Sequence, residues 1–131
     1  MKAEELMIGD WVMPLRECIG KPCQVVSIDG ETNTCWIDSD EYSGLLSCSD
    51  VERIPLTPEI LEKNGFKKEG SWFVIEDDYY DVSIREITDS IWRVKYCNTE
   101  FSVFDCVLHI AFIHELQHAL RLCGIEKEIV I

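Results

Sequence analysis

Through residues 6–56 the apolar side chains come in short runs that alternate with polar ones and are cut by turn residues, which predicts strands rather than helices. Leu6-Met7-Ile8-Gly9-Asp10-Trp11-Val12-Met13 reads as a turn leading into a strand, Lys21 to Ile28 as a second strand, Thr34 to Asp38 as a third and Ser43 to Ser47 as a fourth. Asp29-Gly30 is a hairpin signal between the second and third. Ser49-Asp50-Val51-Glu52 suits one tight helical turn before a last strand at Arg53-Ile54-Pro55-Leu56. Four strands, a 3₁₀-like turn and a closing strand make the pattern of an SH3-like barrel over residues 1–56, a fold-level analogy that carries no function by itself.

The period changes after Thr57, which is where a domain boundary is expected. Thr57 can cap a short helix, Pro58 suits its first position, Glu59 its positive end and Gly65 its stop. Ser71 to Ile75, Asp81 to Ile87 and Ile91 to Cys97 read as three strands, with Phe101 to Asp105 a candidate fourth. A final helix is expected from Ile110 to Cys123, ended by Gly124. Phe112, Ile113, Leu116, Ala119, Leu120 and Cys123 fall on one stripe at 3.6 residues per turn. The tail from Ile125 to Ile131 suits an edge strand. The expected architecture is therefore α+β, with an SH3-like β-barrel at 1–56 and a small antiparallel sheet packed by a C-terminal helix at 57–131.

Composition narrows the function classes. Twelve basic and 25 acidic side chains give a net charge of −13, a surface that repels phosphate backbones and steers basic partners inward. Direct nucleic-acid binding is not expected; a basic protein partner is. The acids gather at Asp38, Asp40 and Glu41 and again at Glu76, Asp77, Asp78 and Asp81. The first group fails as a calcium loop, because Tyr42 takes the third ligand position of D-x-D-x-D. No apolar run approaches the roughly 20 residues that span a bilayer. The acidic start Met1-Lys2-Ala3-Glu4-Glu5 is not a signal peptide, so a cytoplasmic location and no membrane association are expected. The seven cysteines, at 18, 23, 35, 48, 97, 106 and 123, form no C-x-x-C pair and read as small buried hydrophobes.

One stretch would name a reaction. His114-Glu115-Leu116-Gln117-His118 matches H-E-x-x-H, in which two histidines one turn apart hold Zn²⁺ and the glutamate activates a water. On a wheel at about 100° per residue the core stripe centres on Leu116, and His114 and His118 fall nearly opposite, on a polar face with Gln117 and Arg121. A third ligand is required. The metzincin extension needs Gly and His where Arg121 and Gly124 stand, and only Glu126 or Glu128 follow as carboxylate donors. The expected assignment is no enzyme, no metal and no cofactor, with His114, His118 and Glu115 kept as the alternative reading of a zinc-dependent hydrolase. No G-x-S-x-G, P-loop or dinucleotide fingerprint is present, and no spacing selects a Cys–His nucleophile pair. Among the aromatics, Trp11 and Trp36 are expected in the barrel core. Tyr42, beside Asp40 and Glu41, is the candidate exposed contact for a basic peptide.

The motifs Leu6-x-Ile8-Gly9-Asp10-Trp11-Val12, Ile54-Pro55-Leu56-Thr57-Pro58-Glu59-Ile60-Leu61 with Gly65-Phe66, and Ile113-His114-x-Leu116-Gln117-x-x-Leu120 with Gly124 are similar to those of a family of small proteins from gut bacteria and their phages or mobile elements. The resemblance runs over nearly the whole chain, loosely from Asp77 to Asp105. Its members tend to carry Gln at the position of Glu115 and Asn at that of His118. The family brings no known activity; it implies the two-part architecture and weakens the zinc reading. The expected function is a non-catalytic acidic protein-interaction module. A DNA mimic that inhibits a nucleic-acid-binding protein is an alternative.

Overall fold

A computed structural model describes residues 1–15, 20–98 and 103–131, with side chains at 103–106 left aside. Cys18 and Phe101 lie outside the described residues. The chain is α+β and divides into two compact units.

The first unit comprises Met1–Ile54 with Phe112–His114. Its antiparallel sheet contains β1 (Trp11–Pro14), β2 (Cys23–Asp29), β3 (Thr34–Asp38), β4 (Ser43–Ser47) and β5 (Val51–Glu52), in the order β4-β3-β2-β1-β5. Period-two alternation sends Val12, Cys23, Val25, Cys35, Ile37 and Leu46 into one core with Leu6, Cys48 and Val51. The four-residue connection from β2 to β3 is longer than the hairpin signal predicts. Asp29 Oδ1 accepts the N–H groups of Glu31 and Thr32 at 2.9 and 3.3 Å, and Asn33, not Gly30, takes the left-handed conformation at φ 51°. The expected helical turn is a 3₁₀ turn at Cys48–Asp50, capped by Ser47, whose side chain accepts from the Ser49 N–H.

The closing strand differs from expectation. It lies at Val51–Glu52 rather than Arg53–Leu56, and pairs with Met13 and Pro14 of β1. Two residues are too few to pair along both β1 and β4 and so close the sheet. Strands β4 and β5 are therefore the two ends of an open sheet, not neighbours in a closed barrel.

The second unit comprises Pro55–Ala111 and Glu115–Ile131. Helix α1 (Pro58–Lys63) begins as its sequence dictates: the Thr57 side chain accepts the Ile60 N–H, Pro58 occupies the first turn, and Gly65 follows at φ 86°. Five strands form an antiparallel meander, β6 (Lys67–Glu69), β7 (Trp72–Glu76), β8 (Tyr80–Thr88), β9 (Ile91–Asn98) and β10 (Val103–Ile110). Phe73, Val82, Ile84, Trp92, Val94 and Ile110 are buried, and the Phe73 and Trp92 rings lie 6.1 Å apart. Helix α2 (Ile113–Leu122) starts later than expected, because β10 continues to Ile110. Its stripe of Ile113, Leu116, Ala119 and Leu120 is buried. The tail is not an edge strand. Asn64 holds it instead, donating to the Val130 carbonyl and accepting the Val130 N–H, both at 2.8 Å. Among the described residues no helix is long and apolar enough to cross a membrane.

Candidate functional site

The H-E-x-x-H stretch sits on α2 with the expected spacing but not the expected exposure. His114 is 5% exposed and Gln117 7%, so half of the predicted polar face is inside, with His118 partly buried and Arg121 exposed. The buried arc is wide in the first turn of α2 and narrows toward Arg121 and Leu122, which are exposed. A wheel built on one burying surface cannot show that taper. The His114 ring stacks on Phe112 at 6.1 Å, and the Arg53 guanidinium lies 5.6 Å over the Phe112 ring. Glu115 reaches back to accept the Ala111 N–H at 3.4 Å, the geometry of a helix-start acceptor. Among the described residues no three His, Cys, Asp or Glu side chains converge as a metal-binding group. Two surface hollows, of about 530 and 390 Å³, are lined by Lys2, Ala3, Ile28 and Asn33 and by Met1, Leu15, Glu52 and Arg53 among others. Neither contains His114, Glu115 or His118.

Among the described residues of the first unit, Cys23 and Cys35 are poor nucleophiles. Cys23, Cys35 and Cys48 are fully buried and free. Burial, with Cys48 alongside, pushes the Cys35 thiol up to about 12, and burial raises Cys23 as well. A thiol held protonated is inert.

The outer face of the first sheet is chemically distinctive. Cys35 and Ile37 point inward, so Trp36 and Asp38 point outward, and Trp36 is 42% exposed rather than in the core. The register sets Trp36 directly opposite Leu45 of β4, which is 57% exposed. Across β2, Ser27 faces Trp36, and the bulge between Val25 and Ser27 brings out Val26 at 48% exposure. Exposed apolar residues are ordinary one at a time. Here three occupy adjacent positions on neighbouring strands. The Trp36 Nε1–H donates to Ser43 Oγ at 2.9 Å, which leans the indole along β4 toward the Asp38–Ser43 pair.

Acidic groups border this face. After Asp38, Ser39 closes a tight turn: its N–H donates to the Tyr42 carbonyl at 2.7 Å, and its Oγ accepts the Tyr42 N–H at 3.2 Å. Asp40 and Glu41 are thereby presented to solvent. Glu41 is paired with Lys21 on the surface, an interaction of little energetic weight. Tyr42 is half-buried and packs against the first core. Its ring lies over Gly44, where any Cβ would overlap it. Gly44 pairs with the inward-facing Ile37, so Tyr42 belongs to the face opposite Trp36 and Leu45. The structure brings together Val26, Trp36, Leu45 and Asp38, with Asp40 and Glu41 in the adjoining turn, and leaves Tyr42 beneath.

No protein-family model, no curated protein and no solved structure matches this chain.

Proposed function

We propose that this protein is a non-catalytic interaction module whose first sheet binds an extended, basic and apolar segment of a partner protein. The observation that carries the reading is the trio Val26, Trp36 and Leu45, exposed side by side on one sheet face. A large aromatic flanked by aliphatic side chains supplies the anchor typical of interfaces, where Trp and Arg dominate binding energy. Asp38, Asp40 and Glu41, in a chain of net charge −13, select Lys and Arg in the partner and speed its approach. Tyr42 supports the turn that displays two of these acids rather than supplying the outermost contact. An SH3-like ancestry for the first unit belongs to the same proposal: the order β4-β3-β2-β1-β5 and the 3₁₀ turn before β5 support it. A phage or mobile-element origin, which the motif resemblance implies, suits a small acidic binder directed at a basic protein.

The test uses a designed ten-residue peptide alternating Arg or Lys with Leu or Phe, its acidic counterpart, and titration calorimetry. The basic peptide is expected to bind saturably and the acidic one not at all. Trp36→Thr is expected to weaken binding about thirtyfold, the scale of a hot-spot residue. Equal affinity in the Trp36→Thr variant removes the proposal.

A further inference from the structure

The outer face of the second sheet has the opposite character. Burial of Phe73, Val82, Ile84, Trp92 and Val94 fixes the inward positions, so Trp72, Val74, Ser83, Arg85, Arg93, Lys95, Val107 and His109 lie on the other side. Arg85 pairs directly with Arg93, and Arg93 with His109. Phe73 pairs with Ile84, which sets Trp72 in line with Arg85. One row therefore crosses four strands as Trp72, Arg85, Arg93, His109. The next row contributes Lys95, opposite Ser83.

Two arginines facing each other across adjacent strands is a destabilising arrangement. Among the described residues neither Arg85 nor Arg93 pairs with a carboxylate. Other contacts hold them in place. The Arg85 guanidinium stands 5.5 Å and the Lys95 ammonium 4.6 Å from the Trp72 ring centre, cation–π contacts that keep both cations over the sheet. The Arg93 Nε–H donates to His109 Nε2 at 3.4 Å, which turns that guanidinium along the row. Preorganised, unneutralised guanidinium forks are the groups that recognise phosphate by paired N–H donors.

The geometry points to a site for a small phosphate-bearing ligand on this face, built from Arg85, Arg93 and Lys95 around Trp72. The net charge of −13 decides the size of the ligand. A polyanion spanning many phosphates meets the acidic surface as a whole; a single phosphate or oligophosphate meets only its neighbours. Among the described residues, the carboxylates on this face, Glu69, Glu76 and Asp81, stand away from Arg85 and Arg93. Asp81 is four residues from Arg85 along β8, about 13 Å at the strand rise. Glu69 pairs with Trp72 at the β6 edge, two strands from Arg85, about 10 Å away. Asp89, in the turn after β8, is four residues beyond Arg85. From Arg85 each of these exceeds the screening length of roughly 8 Å at physiological salt, whereas Asp81 stands one strand over and two residues along from Lys95, about 8 Å away, so the two arginines govern.

Titration calorimetry of the full chain with inorganic triphosphate and with ATP tests this, beside Arg93→Gln, Arg85→Gln and Lys63→Gln variants. Lys63 lies in α1 and removes the same charge from elsewhere. Saturable binding of triphosphate or ATP is expected, weakened at least about tenfold by Arg93→Gln or Arg85→Gln and less than about twofold by Lys63→Gln. Tighter binding of ATP than of triphosphate assigns stacking to Trp72; equal binding assigns recognition to the phosphates alone. Three results overturn the site: binding of neither ligand, equal loss in the Lys63→Gln variant, or binding only of a single-stranded oligonucleotide.

Discussion

The indole of Trp36 is on the outer face of the sheet because its neighbours Cys35 and Ile37 hold the two inward positions of a five-residue strand. Size and hydrophobicity argue for burial, but strand parity is geometric and prevails. Substitution should reveal the difference. Trp36→Thr is expected to change unfolding free energy by no more than about 0.5 kcal/mol, as for other surface changes. Ile37→Ala, one residue on, should cost about 2–5 kcal/mol. Urea unfolding of both variants checks this; a large loss for Trp36→Thr would place the indole in the core. A second residue-scale effect concerns Glu5. Its carboxylate accepts the Lys2 N–H at 2.7 Å and an Arg53 N–H at 2.6 Å, and the Lys2 backbone bond, assisted by Arg53, holds its pKa below the usual 4.5. A depressed folded pKa stabilises above pH 4.5, and that contribution is lost as pH falls through the folded value. The stability difference between wild type and Glu5→Gln is therefore expected at pH 7 and should shrink toward zero in acid. A difference that grows below pH 4.5 contradicts the assignment.

At the scale of elements, α2 shows what a periodic pattern can and cannot convey. Its apolar stripe was legible from Ile113, Leu116, Ala119 and Leu120, because 3.6-residue spacing depends only on the helix itself. The depth of His114 was not, because burial around a helix depends on everything packed against it. The stacking of His114 on Phe112 makes the ring structural, so His114→Ala is expected to destabilise by about 1–3 kcal/mol in the presence of a chelator. Chelator-unfolding experiments decide between readings: a loss seen only with added zinc would restore the hydrolase alternative. Capping chemistry made α1 legible to its ends, since Thr57, Pro58 and Gly65 act through local bonds and φ angles. Strand β6, Lys67-Lys68-Glu69, is not legible in the sequence because three charged, exposed residues carry no alternation. The tail is the opposite case. Ile125 and Ile129 are buried as strand residues would be, but the Asn64 amide supplies the hydrogen bonds that a neighbouring strand would have supplied.

At the scale of the whole molecule, a net charge of −13 sets a preference for cationic partners without saying where they bind. Both proposed surfaces rest on register, which sequence does not display: Trp36 meets Leu45, and Arg85 meets Arg93, only once strands are aligned. Association through the first sheet should combine an apolar anchor with screened charge. Affinity for the basic peptide is therefore expected to fall between 50 and 500 mM salt but not to vanish, since the Debye length shrinks while burial of Trp36 is unaffected. Loss of all binding at high salt would show attraction by charge alone, without the apolar anchor.

Chemical-shift mapping on the ¹⁵N-labelled protein tests the central claim most directly, with the alternating basic and apolar peptide as titrant. The expected result is a set of saturating shifts at Val26, Ser27, Trp36 (its indole N–H included), Asp38, Ser43 and Leu45, with the buried amides of Ile37 and Leu46 moving less. Shifts concentrated instead along α2, or scattered in proportion to local acidic charge with no saturation, would contradict the assignment of this sheet face as the binding surface.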